Sequence, residues 1–214
     1  GSDSMERIFE TIWTYAVQIN ALEAAGLIFG LLGVWLLIKQ NIWTWPAGII
    51  YVLISFVIFY QVKLYADLAL HVVFLALNVY GWYYWIYGKK DREEELSVTR
   101  AQPKTLVVLV VLSALGIAAM GTLFLRYTDA AVPYWDSTTT VLSLVGMWLT
   151  AKKKIENWHF WFVVDVLATG IYVYKGIYFY ALLYLVYVGM AVAGYRAWRK
   201  DLYEEDATLV EASL

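Results

Sequence analysis

The sequence predicts an all-α integral membrane protein of seven transmembrane helices, arranged as two parallel three-helix repeats joined by a linker helix (3+1+3). Three observations predict it. The stretch Leu31–Tyr87 recurs without a gap as Leu144–Lys200, 113 residues further on, which superposes Gly33 on Gly146, Trp45 on Trp158, Gly81 on Gly194 and Trp85 on Trp198. Hydrophobic residues make up 62% of the 214 and charged residues only 16%, against roughly half and a quarter in soluble domains. The apolar residues gather in runs close to the ~20 residues that cross a hydrocarbon core of about 30 Å.

In chain order, residues 1–20 hold a short amphipathic segment, Phe9–Ile19, expected to lie along the membrane interface. The first repeat (21–87) contains the spans Ala21–Ile38, Ile42–Tyr60 and Ala66–Tyr87. A mixed-charge loop (88–103) leads to the linker helix (104–126), whose apolar run is Lys104–Leu125. The second repeat (134–198) contains Tyr134–Thr150, Trp158–Tyr174 and Phe179–Trp198, and the acidic tail (199–214) is expected to fray. Pro46, Pro103 and Pro133 all fall at or just before the first turn of a span, where a missing N–H does little harm. Continuous helices are therefore expected.

Orientation follows from the basic residues, which collect on the cytoplasmic side. With the N-terminus outside, only Arg7, Lys63, Arg126 and Lys175 of the 16 Lys and Arg face out. The N-terminus is thus expected outside and the C-terminus in the cytoplasm. Three-span copies in direct tandem would face opposite ways. The unmatched fourth span turns the second copy round to match the first, the plan of transporters with parallel repeats.

Composition excludes several classes. There is no Cys, so disulfides, thiolate metal sites and cysteine nucleophiles are absent. Two His leave no metal cluster, no Gly-rich phosphate loop is present, and no basic tract interleaves with aromatics as nucleic-acid binding requires. The acidic segment Gly1–Glu10 does not read as a cleavable signal peptide. Enzyme is the weakest class, and no cofactor is expected.

Polar and aromatic residues inside spans point to a cavity. Aromatics make up 18% of the chain, with 11 Trp and 18 Tyr, more than interfacial belts ordinarily use. Asp67, His71, Asn78, Trp82 and Trp85 share one helical face, as do Trp158, Trp161, Asp165, Thr169 and Tyr172; Tyr180, Tyr184, Tyr187 and Tyr195 form a third stripe. For Trp43, Trp45, Trp85 and Trp158, near span ends, interfacial anchoring is expected ahead of ligand contact. His71 is expected to serve helix packing ahead of ligand contact, whereas for Asn78 substrate contact and an interhelical hydrogen bond are equally open. Asp165 is the most informative residue, because a carboxylate at that depth must be paired, protonated or wetted. Its counterpart in the first copy is Val52. Lys175 and Lys63, at span ends, read as snorkelling residues.

The run Trp43-Thr44-Trp45-Pro46-Ala47-Gly48, with Tyr65-Ala66-Asp67 and Asn78-Val79-Tyr80-Gly81-Trp82-Tyr83-Tyr84-Trp85, resembles the first half of the PnuC family of bacterial nicotinamide riboside transporters. Glu156-Asn157-Trp158, Trp161, Asp165, Tyr178, Tyr184 and Gly194 to Trp198 resemble its second half. The resemblance implies a SWEET-like fold in the bacterial inner membrane and a homotrimer. It also implies facilitated diffusion of nicotinamide riboside by alternating access, with trapping by a separate kinase. The substrate-binding candidates are Trp45, Gln61, Asn78, Trp82, Trp161, Asp165, Tyr172 and Tyr184. Aromatic faces and Asp165 suit a flat pyridinium cation, while Asn78 and Gln61 suit ribose and carboxamide groups. A carrier of another vitamin, thiamine-like, or of a sugar on the same fold is the alternative, followed by a seven-helix receptor.

Overall fold

In a computed structural model, the backbone is described for residues 2–61, 65–89, 96–129 and 131–212, and the side chains for 4–61, 70–89, 96–129 and 131–204. Lys63 and the side chain of Asp67 lie outside the described residues. The described chain forms eight helices: α1 (Ser2–Gln18), α2 (Ala21–Ile38), α3 (Thr44–Gln61), α4 (Tyr65–Tyr87), α5 (Pro103–Tyr127), α6 (Pro133–Ala151), α7 (Asn157–Tyr174) and α8 (Tyr178–Ala212). Among them α2, α3, α5 and α8 are long and apolar enough to cross a membrane. The helices α4, α6 and α7 interrupt their apolar sequence with groups such as Asn78, Thr139 and Asp165.

The local sequence accounts for the helix ends. Asn20 caps α2 in a reciprocal box with Glu23, each side chain bonding the other's backbone N–H. Pro103 and Pro133 open α5 and α6. Helices α2 and α6 both stop in a Schellman turn. Asn41 N–H donates to Leu36 O and Lys154 N–H to Leu149 O, both at 2.9 Å. The turning residues Gln40 and Lys153, 113 positions apart, share a φ of 53°. A left-handed conformation is unfavourable by about 1–2 kcal/mol outside glycine, so its presence at both matched positions reflects inherited geometry rather than local preference.

The repeat is equally visible in packing. Within each copy the first helix packs on the second and the second on the third: α2 on α3 and α3 on α4, then α6 on α7 and α7 on α8. Between copies, α2 meets α8 and α4 meets α6, a reciprocal pair. Helix α5 contacts α6, and α1 contacts α8.

Four tryptophans hold the end of the bundle that carries Lys39, Lys89 and Lys152, here the basic end. Trp45 meets Trp85 edge-on at 5.4 Å and 86°, and Trp158 meets Trp198 at 5.4 Å and 87°. Gly81 and Gly194 make room for them, since a Cβ at either would overlap the Trp45 or Trp158 ring. Trp85 and Trp198 then face each other at 6.3 Å across the two halves. Each indole donates to the opposite half: Trp85 Nε1–H to Thr150 O at 3.2 Å and Trp198 Nε1–H to Leu37 O at 3.1 Å. Donors and acceptors are again 113 residues apart.

Two sequence expectations change. The segment Phe9–Ile19, expected along the interface, lies as far as Gln18 in a longer helix of 17 residues, Ser2–Gln18. The acidic tail does not fray after Trp198; α8 continues to Ala212 over 35 residues, about 50 Å. Leu202 is buried, Lys200 pairs with Glu204 at 3.7 Å one turn on, and Gln40 donates to the Asp201 carboxylate. The Leu202 and Asp201 contacts hold the start of the extension to the body of the protein, and the Lys200–Glu204 pair supports the helix itself.

The loop after α4 is strapped to the second repeat. Thr99 forms a parallel bridge with Lys154, the Ala101 N–H donates to Glu156 Oε2 at 2.9 Å, and Lys153 Nζ donates to Leu96 O.

Candidate functional site

At the end of the bundle opposite the basic end, α7 and α8 bring a row of tyrosines together. Tyr172 stacks on both Tyr180 and Tyr184, with centroids at 5.3 Å in each pair and interplanar angles of 29° and 23°. The spacing in α8 explains this, because Tyr180, Tyr184 and Tyr187 recur every three or four residues and face α7 together. Tyr15 of α1 closes the row from outside. Its ring lies 4.9 Å from Phe179 and its hydroxyl donates to Tyr180 at 3.3 Å.

Asp165 lies behind this row, 8% exposed. Its carboxylate has no hydrogen-bond or ion-pair partner among the described residues; Thr169 donates at 2.7 Å to its backbone carbonyl instead. Tyr184 and Tyr187 both lie within electrostatic range of Asp165 and of Tyr51 on α3. The Tyr187 hydroxyl sits over Gly30 of α2, 2.7 Å from where a Cβ would be. The carboxylate thus neighbours the α8 phenols Tyr184 and Tyr187, which in turn reach Tyr51 and Gly30 of the first half.

Beside the tyrosines opens a cavity of about 170 Å³ between α4, α6, α7 and α8. Tyr172 and Tyr184 form one wall, and Thr139, Thr140 and Ser143 of α6 another. Asp136 and Lys175, paired at 3.7 Å, stand in its lining. A larger cavity, about 480 Å³, lies at the basic end and includes Lys39, Asn41, Trp43, Trp85 and Lys153.

Of the residues singled out in the sequence, Asp165, Tyr172 and Tyr184 come together here. Trp45 is 2% exposed in the tryptophan core at the basic end. Trp161 packs on Gly146 and donates to Thr150 Oγ1 at 3.0 Å. Asn78 is buried mid-helix, where its amide donates to Phe74 O at 2.9 Å and its carboxamide presses on Gly48. Gln61, the last residue of α3, is exposed. Trp82 is 37% exposed. His71 is flanked by Phe59 and Phe74.

The sequence reading passed over the α6 hydroxyls and gave Lys175 no role beyond snorkelling. The signal was available in Ser137-Thr138-Thr139-Thr140 and Ser143, a hydroxyl run inside a predicted span.

Like halves enclosing a polar centre within an apolar helical bundle define the class of membrane transporters with internal repeats. Residues 20–200 match the family described as nicotinamide mononucleotide transporter, and the chain belongs to that family. The nicotinamide riboside transporter PnuC of Escherichia coli K12 is 34% identical over 205 residues, covering 85% of this chain and 86% of that protein. The riboflavin/roseoflavin transporter RibM of Streptomyces davaonensis is 28% identical over 178 residues, covering 82% and 83%. In fold, the chain matches a crystal structure of the vitamin B3 transporter PnuC with a TM-score of 0.70 at 21% identity, covering 94% of this chain and 90% of that one.

Proposed function

We propose that the protein carries nicotinamide riboside across the bacterial inner membrane by facilitated diffusion. The observation that carries this reading is the buried Asp165 carboxylate with tyrosines around it, in a chain 34% identical to a nicotinamide riboside transporter. The substrate's pyridinium ring is a flat cation. Phenol faces attract such a ring by about 0.5–2 kcal/mol, and a carboxylate in a partly desolvated site adds direct Coulombic attraction. The neutral tyrosine hydroxyls around it can donate to the carboxamide oxygen and accept from its amide.

In this proposal the chain crosses the bilayer seven times, with α2–α4 and α6–α8 as parallel repeats and α5 as the linker. The N-terminus is outside, the C-terminus is in the cytoplasm, and protomers assemble as a homotrimer. The reciprocal contacts α2 with α8 and α4 with α6 are the surfaces on which the halves rock during alternating access. The tryptophan contacts close the cytoplasmic end while the tyrosine end receives substrate. Net import needs only removal of the product inside, which phosphorylation by a separate kinase supplies.

A second reading, riboflavin carriage, is favoured by the 28% identity to a riboflavin transporter. Equilibrium binding to the purified protein separates the two. The expected outcome is saturable nicotinamide riboside binding that riboflavin does not displace. Riboflavin binding with none of nicotinamide riboside would reverse the assignment.

A further inference from the structure

The α6 wall of the smaller cavity has no role in the site as described so far, and its hydrogen bonding is one-sided. Thr139 Oγ1 donates to Asp136 O at 2.9 Å, and Ser143 Oγ donates to Thr139 O at 2.6 Å. Each hydroxyl has a single proton and two lone pairs. With the proton of Thr139 and of Ser143 committed to the helix itself, as is common for Ser and Thr inside membrane helices, these two oxygens offer the cavity acceptor capacity, while the Thr140 hydroxyl keeps both a proton and lone pairs. The Asp136 carboxylate in the same lining is acceptor-only, and its partner Lys175 neutralises it. The wall therefore complements a ligand group rich in O–H donors.

Size narrows the choice further. A cavity of about 170 Å³ falls below the roughly 300–1,000 Å³ of sites that enclose a whole small molecule. It holds one part of a nucleoside while the remainder lies outside it. The tyrosine row and Asp165, which does not itself line this cavity, suit the cationic base, which leaves the sugar for α6.

We propose that the α6 face formed by Thr139, Thr140 and Ser143 is a ribose subsite, which selects ligands by the vicinal hydroxyls of their sugar. The proposal rests on the nucleoside-carrier reading above. It assigns sugar recognition to the second repeat's first helix, and the charge of the base to α7 and α8. In the first copy, the positions matched to Thr139 and Ser143 are Gly26 and Gly30. The subsite is therefore built in one half of the duplicated frame and absent from the other, as an asymmetric ligand requires.

The test compares nicotinamide riboside with nicotinamide 2′,3′-dideoxyriboside, a ligand of the same charge and base without the vicinal hydroxyls. Binding of both is measured on the wild-type protein, on the double variant Thr139→Val with Ser143→Ala, and on Thr138→Val. Thr138 makes the same kind of back-bond, to Tyr134 O at 2.6 Å, but does not line the cavity. The expected result is a wild-type preference for the riboside of about tenfold or more, the scale of one or two hydrogen bonds. That preference should collapse towards unity in the double variant, through loss of riboside affinity alone, and persist in Thr138→Val. A double variant that keeps the wild-type preference, or that weakens both ligands equally, overturns the subsite. Absence of riboside binding by the folded wild-type protein would instead overturn the nucleoside-carrier reading on which it rests.

Discussion

In the proposed function, Asp165 is the residue that supplies the negative charge. An ionised carboxylate removed from water is strongly unfavourable unless a counter-charge or donors meet it, and none of the described groups forms an ion pair or hydrogen bond with it. The account makes the substrate's pyridinium the missing counter-charge. Asp165→Asn keeps the shape and one acceptor oxygen but removes the charge. It is expected to weaken nicotinamide riboside at least tenfold while leaving the reduced, uncharged riboside within about threefold, as isothermal titration can measure. Equal losses for the two ligands would make the residue structural. Asp165 was legible in the sequence because charge inside an apolar span is rare and its matched position is Val52. The Thr139, Thr140 and Ser143 face was not, because a hydroxyl that bonds back to its own helix barely alters hydropathy. Trp45 illustrates a third case. Sequence cannot tell an indole that meets a ligand from one that fills the hollow over a glycine, and here Gly81 provides the hollow.

At the scale of elements, duplication explains most of what could be read in advance. Apolar runs and proline positions located the helices from α2 to α7, since both are local signals. The extension of α8 past Trp198 depends on contacts distant in sequence, Leu202 burial and the Gln40–Asp201 bond, so no local signal announced it. The tryptophan contacts at the basic end join the halves through two indole–carbonyl bonds, each worth about 0.5–1.5 kcal/mol net. Such bonds can hold an end closed and still release it thermally. The chain has no Cys, so a single cysteine placed at buried Ala191 reports access to that end. Replacing Trp85 and Trp198 together by Phe is expected to speed its labelling by an impermeant maleimide about tenfold. An unchanged rate in a protein of wild-type thermal stability would make the contacts permanent scaffold instead of a gate.

At the scale of the whole molecule, two copies of one three-helix unit meet reciprocally, and a polar centre differs between them. The shared residues, Gly81 with Gly194 and Trp85 with Trp198, build the frame and the closure. The unshared ones, Asp165 and the α6 hydroxyls, are those to which the proposed function and the proposed ribose subsite assign the chemistry. The proposed function for such a frame is downhill movement of an already charged substrate. Uptake of labelled nicotinamide riboside into proteoliposomes holding only this protein tests that account most directly. The account predicts saturable uptake that stops when inside and outside concentrations match, is unchanged by proton or sodium gradients, and is accelerated by unlabelled substrate inside. Accumulation above the external concentration under an ion gradient, or no saturable uptake, would contradict it.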